Sequence, residues 1–411
     1  MNESITRNKR AFLWNTVAST LSSFQSFIIL IFISHLGNTQ DAGIFTFAYA
    51  AANLMMMIGK FGMRRFQASD LSGQYSFGTY VCSRKVTVLL MLVVSASYGI
   101  YCSNGSLTKY LIFLLWCGVR AVESYEDVYH GYLHARDRLD LASKIWGART
   151  LLSIIVFAVS YYISGELVLS TVIVFAAAVI SGVACNLPFL RLYEKRAHAE
   201  FTDVRSLLIS NFSLFASFFL QMYLSNAPRY AINSELSDEI QAIYGYLIMP
   251  IFLITMFSSF MVQPLITTYT RYWDSSDRKS FSKLIGYHLS LIVAAVVICI
   301  IGGRIIGLRL LEIIYNVELK DYAGTLSILL IAGGFQALQS YLMTLLTVIR
   351  FHKLLITGFI GAGLLFMLFS GMVVTRWGIT GISVYFMLVL ALLDLYFAGL
   401  LIYRFKRPQG D

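Results

Sequence analysis

The sequence predicts an all-α polytopic membrane protein, with about twelve transmembrane helices in two parallel six-helix lobes and both termini in the cytoplasm. Three observations carry this. Stretches of some twenty apolar residues recur along the chain, each long enough to cross a roughly 30 Å hydrocarbon layer as a helix. The 32 Lys and Arg residues fall on alternate connections, about 25 of them in the N-terminus, the even loops and the C-terminus and about six in or beside the odd loops, which is the positive-inside pattern. The composition is 57% hydrophobic and 13% charged with a mean hydropathy of +0.69, far from the roughly 25% charged residues of a soluble domain.

The apolar stretches give the elements in order. The first, 13–34, follows Arg7, Lys9 and Arg10. It is too long for a signal-peptide core and has no small-residue cleavage site, so it reads as a membrane helix rather than a leader. The rest of the first half lies at 43–59, 86–102, 107–125, 145–163 and 168–190. After a charged stretch at 191–205 come 207–227, 240–267, 285–306, 322–349, 355–374 and 379–403. The basic connections carry Lys60, Arg64, Arg65, Arg84 and Lys85, then Arg136, Arg138, Lys144 and Arg149, and later Arg271, Arg278, Lys279 and Lys283. The opposite connections carry Asp41, Glu166, Glu235, Asp238, Glu239, Glu318 and Asp321, and the longest of them spans 307–321.

A net charge of +10 does not point to nucleic acid here, because the basic residues sit in short loops between apolar runs, where anionic headgroups meet them. Cys82, Cys102, Cys117, Cys185 and Cys299 are scattered through apolar runs and offer neither metal spacing nor a disulfide framework. No cofactor is expected, and no zinc-spaced histidine pair, P-loop or nucleophile elbow suggests an enzyme.

The two halves, 1–200 and 201–411, carry matching segments. Gly43-Ile-Phe-Thr-Phe-Ala-Tyr-Ala corresponds to Ala242-Ile-Tyr-Gly-Tyr-Leu-Ile-Met, and Ser76-Phe77 to Ser280-Phe281. Similar offsets favour a parallel repeat of six spans about an axis along the membrane normal.

Asn15, His35-Leu-Gly37, Asp41-Ala-Gly43 and Phe45-Thr-Phe-Ala-Tyr-Ala resemble the start of polysaccharide flippases. The segment from Leu310 through Glu312, Tyr315, Asp321 and Gly324 to Leu330 is similar to the stretch leading into their tenth helix. These are the Wzx-type O-antigen and exopolysaccharide transporters of the multidrug/oligosaccharidyl-lipid/polysaccharide exporter superfamily. The resemblance implies a multi-pass protein of the bacterial inner membrane that moves an undecaprenyl-diphosphate-linked oligosaccharide between leaflets by alternating access. It also implies polysaccharide polymerase machinery as a partner, and a monomer, since each two-lobed chain supplies a complete path. One departure stands out: some related flippases carry several arginines in the first helix, whereas here none follows Arg10, and Gln25 and His35 are its long polar side chains.

A diphosphate needs cations facing a wet cavity, and intramembrane ionisable residues are the natural candidates. Arg120 and Glu123 are three apart on one helix face. Arg120 is expected to meet the diphosphate and Glu123 to carry a coupling ion; the alternative is a structural ion pair, in which Glu123 stays ionised unless substrate displaces Arg120. Arg64 and Arg65 follow Gly62 and suit a first phosphate contact, or simple membrane anchoring. Gln221 and Arg229, beside Pro228 at the expected end of the seventh span, form a second candidate anion contact or an interfacial cap. Gln263-Pro264 is expected to kink the eighth span. Asp394, alone among leucines in the last span, is either a buried acceptor or a second coupling carboxylate. A multidrug antiporter of the same superfamily is the main alternative function. A membrane glycan polymerase ranks below it, because the loops are too short for a catalytic domain.

Overall fold

A computed structural model describes residues 2–70, 74–193, 199–262, 265–349, 351 and 354–406, without the side chains of 2–9, 65, 69, 187–193 and 259. Among these residues the secondary structure is helical throughout. The helices are α1 (Asn2–Leu36), α2 (Thr39–Lys60), α3 (Met63–Ser69), α4 (Phe77–Cys102), α5 (Leu107–Ala135), α6 (Leu139–Ser164), α7 (Leu167–Tyr193) and α8 (Phe201–Glu235), followed by α9 (Asp238–Leu247), α10 (Met249–Val262), α11 (Ile266–Asp274), α12 (Arg278–Gly302), α13 (Leu308–Tyr315), α14 (Ala323–Val348) and α15 (Leu355–Lys406). Ten of the described stretches are long and apolar enough to cross a membrane. The chain is a multi-pass membrane protein.

Local chemistry sets the helix ends. Asn38 caps α2 by accepting from Asp41 N at 2.7 Å, Ser76 caps α4 through Thr79 N, and Ser106 caps α5 through Lys109 N. Asp277 caps α12, and hydrogen bonds from Ser280 hold its carboxyl below the usual carboxylate range. The two Ser-Phe pairs of the sequence repeat therefore do different work: Ser76 is a cap, whereas Ser280 donates to one. The other matched segments agree better, since Gly43 and Ala242 each stand five residues after the cap of their helix.

The chain forms two compact units, residues 1–222 and 223–411, and the boundary falls inside α8. In the first unit α5 is central and packs against α2, α3, α4, α6 and α7, while α1 lies along α6, with Ser143 Oγ donating to Asn15 Oδ1 at 3.4 Å. In the second unit α14 is central and packs against α10, α12 and α15.

Several expected boundaries shift, each for a local reason. Arg84, Lys144 and Arg149, expected in loops, lie inside α4 and α6, because those helices start well before their apolar cores. The seventh span does not end at Pro228; α8 runs through it to Glu235, a tolerated break of one backbone bond in a membrane helix. The eighth span is divided at Ile248, ahead of Pro250, whose missing N–H ends the ladder. The kink expected at Gln263-Pro264 lies outside the described residues. The longest expected loop, 307–321, is largely α13, joined to α12 by a π-helical turn over Gly303–Gly307.

α15 is two helices, 355–377 and 379–406, meeting at Gly378 with φ 58° and ψ −150°. The arms fold back on each other: Phe359 meets Phe397, Phe366 meets Phe386, and Thr357 Oγ1 lies 2.8 Å from Tyr396 OH. A Cβ at position 378 would meet nothing within 4 Å, so its requirement for glycine is conformational and not steric. That backbone region costs other residues about 1–3 kcal/mol. Gly378→Ala is therefore expected to lower stability by about that amount, read as a lower midpoint of thermal unfolding in detergent, whereas Gly361→Ala, also in open space, leaves the midpoint unchanged or raises it.

Candidate functional site

The first unit buries a cluster of charges around α5. Along that helix Arg120, Glu123 and Asp127 follow at helical spacing, with Glu126 beside them, and all four are buried. These charges make α5 the spine of the site.

Glu123 is the hub. It accepts from Lys60 Nζ of α2 at 2.8 Å and from Arg120 Nη1 at 2.6 Å, and lies 3.3 Å from Arg149 Nη2 of α6. Arg149 Nε also stands 3.0 Å from Glu126 Oε2. Asp127 accepts from Arg84 Nη2 of α4 at 3.0 Å and pairs with Arg64 of α3 at 3.6 Å. Arg120 reaches further, with Nη2 3.5 Å from Gln25 Oε1 of α1 and its guanidinium 4.6 Å from the Tyr49 ring centre. Tyr49 OH donates to the same Gln25 oxygen at 2.9 Å.

The end of α2 explains why Arg84 can be wholly buried. Phe61 and Gly62 adopt left-handed conformations, at φ 46° and 67°, and stop the helix. The Gly59 carbonyl is then one of the last four of its helix, without an intrahelical donor. It accepts from Arg84 Nη1 at 2.6 Å and Thr87 Oγ1 at 2.8 Å, and the partial negative charge at this helix end favours a cation there. A Cβ at Gly59 would fall 2.6 Å from Ser124 Oγ and 2.8 Å from Met91 Sδ, so glycine also permits the close packing of α2, α4 and α5.

Among the described residues, five cations thus face three carboxylates: Lys60, Arg64, Arg84, Arg120 and Arg149 against Glu123, Glu126 and Asp127. Two positive charges are left over in a buried setting. The open edge is cationic as well, since the side chains of Lys60 and Arg64 remain 25% and 27% exposed while that of Arg84 is at 0%. Such an arrangement can hold a multiply charged anion at Lys60 and Arg64 without stripping any carboxylate of its last partner.

The structure brings Arg64, Arg120 and Glu123 together. The Arg65 side chain lies outside the described residues. Arg229 is elsewhere, half-buried on α8 and donating to Asn226 Oδ1 at 2.8 Å; it lies in the second unit, whereas Gln221 lies in the first. Asp394 is buried on the second arm of α15, and neither carboxylate oxygen has a hydrogen-bond partner among the described residues. Sequence reasoning did not place Lys60, Arg84 and Arg149 in the site, because each reads as a loop anchor. Their position inside or at the very end of a helix was the available signal. Among the described residues no three His, Cys, Asp or Glu side chains are arranged to hold a metal ion.

No protein-family model matches the chain. The capsular polysaccharide biosynthesis protein CapF of Staphylococcus aureus is 20% identical over 371 residues, covering 89% of this chain and 92% of CapF. Among solved structures, the lipid II flippase MurJ in an inward closed conformation matches with a TM-score of 0.73 at 11% identity, over 96% of this chain and 89% of MurJ. An inward-facing multidrug resistance MATE transporter of the MOP superfamily matches at 0.68 and 12% identity, over 95% of this chain and 99% of that one. The fold is that of the MOP exporters. It agrees with the all-α multi-pass class expected from the sequence, and the two solved structures above are a flippase and a transporter. A third, the Vibrio cholerae MATE transporter VcmN in its bent form, matches at 0.59 and 12% identity over 99% of this chain and 98% of VcmN.

The role of the fully buried Arg84 can be tested directly. Arg84→Met leaves Asp127 with only the longer Arg64 contact, and breaking a buried pair from one side costs about 3 kcal/mol or more. The expected result is a marked loss of thermal stability in detergent, largely restored in the double variant Arg84→Met/Asp127→Leu, which removes both charges.

Proposed function

We propose that this chain is a flippase of the Wzx type, moving an undecaprenyl-diphosphate-linked oligosaccharide, an O-antigen or exopolysaccharide repeat unit, across the bacterial inner membrane by alternating access. Its lobes are the two six-helix halves, 1–200 and 201–411. The observation that carries this reading is the surplus of two positive charges around α5, with Lys60 and Arg64 at the open edge. A diphosphate supplies the missing negative charge and further oxygen acceptors for these side chains. The similarity to a capsular polysaccharide biosynthesis protein supports a glycan cargo. An antiporter for organic cations fits less well, since a buried cluster of net positive charge repels such cargo.

In this reading Arg120 orders the site through Glu123, Tyr49 and Gln25, and Lys60, Arg64 and Arg65 make the first anion contact. Arg229 and Gln221 are each a further candidate contact for the cargo, taken separately. Glu123, held by three cations, has no room for a coupling proton, so the coupling role falls to Asp394, which is buried without a hydrogen-bond donor among the described residues.

The test is reconstitution into proteoliposomes with a fluorescent undecaprenyl-diphosphate oligosaccharide and an impermeant quencher outside. Wild type is expected to expose the labelled lipid to the quencher. Lys60→Ala/Arg64→Ala is expected to slow this at least tenfold without unfolding, because Glu123 keeps Arg120 and Arg149 and Asp127 keeps Arg84. Asp394→Asn is expected to keep lipid movement but lose its dependence on an imposed proton or sodium gradient. Exchange of a cationic dye for protons by wild type, with no lipid movement, would replace the flippase with the antiporter.

A further inference from the structure

In the second unit the start of α12 and the end of α15 meet around three rings. Trp273 of α11, Phe281 of α12 and Phe405 of α15 form a triangle with ring centres 5.6, 5.7 and 5.4 Å apart. Trp273 and Phe281 are buried, so the triangle is a fixed wall. Arg278, the first residue of α12, lies against it. Its guanidinium carbon is 3.6 Å from the centre of the Trp273 ring and 5.1 Å from that of Phe405. Stacking of this kind uses the face of the guanidinium and leaves its edge N–H groups to bind an acceptor.

The protein supplies no such acceptor. Among the described residues Arg278 Nη1 is shielded from solvent and has no hydrogen-bond partner, and no carboxylate pairs with the group. Asp277, its neighbour in sequence, is committed to the start of α12, where it accepts from Ser280 N at 3.0 Å. A second cation stands close by instead: Arg404, next to Phe405 in α15, is near enough to repel Arg278. Two guanidinium groups brought together against an aromatic wall are unfavourable unless an anion lies between them. Phosphate fits, since its oxygens accept from several N–H groups at once.

The place in the fold points to the source of that phosphate. Ile402 and Tyr403, directly before Arg404, are 56% and 49% exposed, and Tyr287 of α12 is 57% exposed. Lipid-facing side chains thus run up to the two arginines along both helices, and aromatic residues at such a level mark the boundary between hydrocarbon and headgroups. The same elements add positive charge, with Arg271 on α11, Lys279 and Lys283 on α12 and Lys406 at the end of α15. An ethanolamine or choline headgroup would bring one more cation to this place, whereas a headgroup of net negative charge would not.

We propose that Arg278 and Arg404 hold the phosphate of a bilayer phospholipid with a net negative headgroup, of the phosphatidylglycerol type, and that this lipid ties the start of α12 to the end of α15. The site lies within the second unit and does not depend on the cargo.

The experiment is native mass spectrometry of the full chain in mild detergent, titrated with phosphatidylglycerol, phosphatidylethanolamine or phosphatidylcholine, with an apparent Kd read from the bound fractions. Wild type is expected to hold one phosphatidylglycerol about tenfold more tightly than either zwitterionic lipid. Arg278→Gln/Arg404→Gln is expected to lose that preference. Arg309→Gln/Arg376→Gln, which removes two exposed arginines elsewhere in the same unit, is expected to keep it. Arg278→Lys preserves the charge without the planar fork and is expected to weaken binding about threefold or more. Equal affinity for the three lipids, or equal loss in the two double variants, would reduce the site to general positive charge and overturn it. Unchanged binding by Arg278→Lys would overturn the stacked geometry. Displacement of the lipid by inorganic phosphate or glycerol phosphate would overturn the lipid occupant and give the site to a free anion.

Discussion

The first unit is organised by the need to keep buried charge paired where no water can solvate it. An isolated ion in such a place costs several kcal/mol, so each cation is positioned by a carboxylate, and Arg84 by the Gly59 carbonyl as well. Arg84 joins α4 to both α5 and the end of α2 through Asp127 and Gly59. Glu123 joins α2, α5 and α6. Removing these contacts would leave four helices held by apolar packing alone, which in hydrocarbon supplies little preference for one register over another. The ion pairs thus fix the geometry of the helices at the same time as they create an excess of positive charge at the site.

The second unit solves the same problem with neutral groups. Tyr269 OH is hydrogen-bonded to His288 Nδ1 and lies 2.6 Å from Tyr341 OH, joining α11, α12 and α14. The Tyr246 and Tyr315 rings pack 4.5 Å apart between α9 and α13. Arg278 stacks 3.6 Å over the Trp273 ring. Hydroxyls and rings need fewer compensating partners than ions do, and Asp394 is the exception that makes the contrast visible. The chemistry of the two units is therefore unequal.

Much of this was legible in the sequence. Hydropathy and the alternation of basic loops gave the membrane class, and the three-residue spacing of Arg120 and Glu123 placed them on one face of α5. The rest was hidden for definable reasons. Arg84 and Arg149 look like loop anchors because hydropathy marks where a helix becomes apolar, not where it begins; the Ser76 cap starts α4 eight residues before Arg84 does its work. Lys60 looks like an anchor for the opposite reason, since it closes its helix and turns back to Glu123. The hairpin in α15 was half visible: a gap at 375–378 was expected, but not that a single glycine would serve as the whole connection.

That glycine has a consequence for how the protein is made. The arms 355–377 and 379–406 meet directly at Gly378, and their rings pair at Phe359 with Phe397 and at Phe366 with Tyr385. Two apolar segments joined so tightly leave a translocation channel as one object, because neither can be released to lipid while its partner stays behind. The order of biogenesis is thereby constrained: the second arm must already be synthesised when the first departs. Asp394 travels with this paired body, so its carboxylate enters the bilayer beside another helix and not on a lone one.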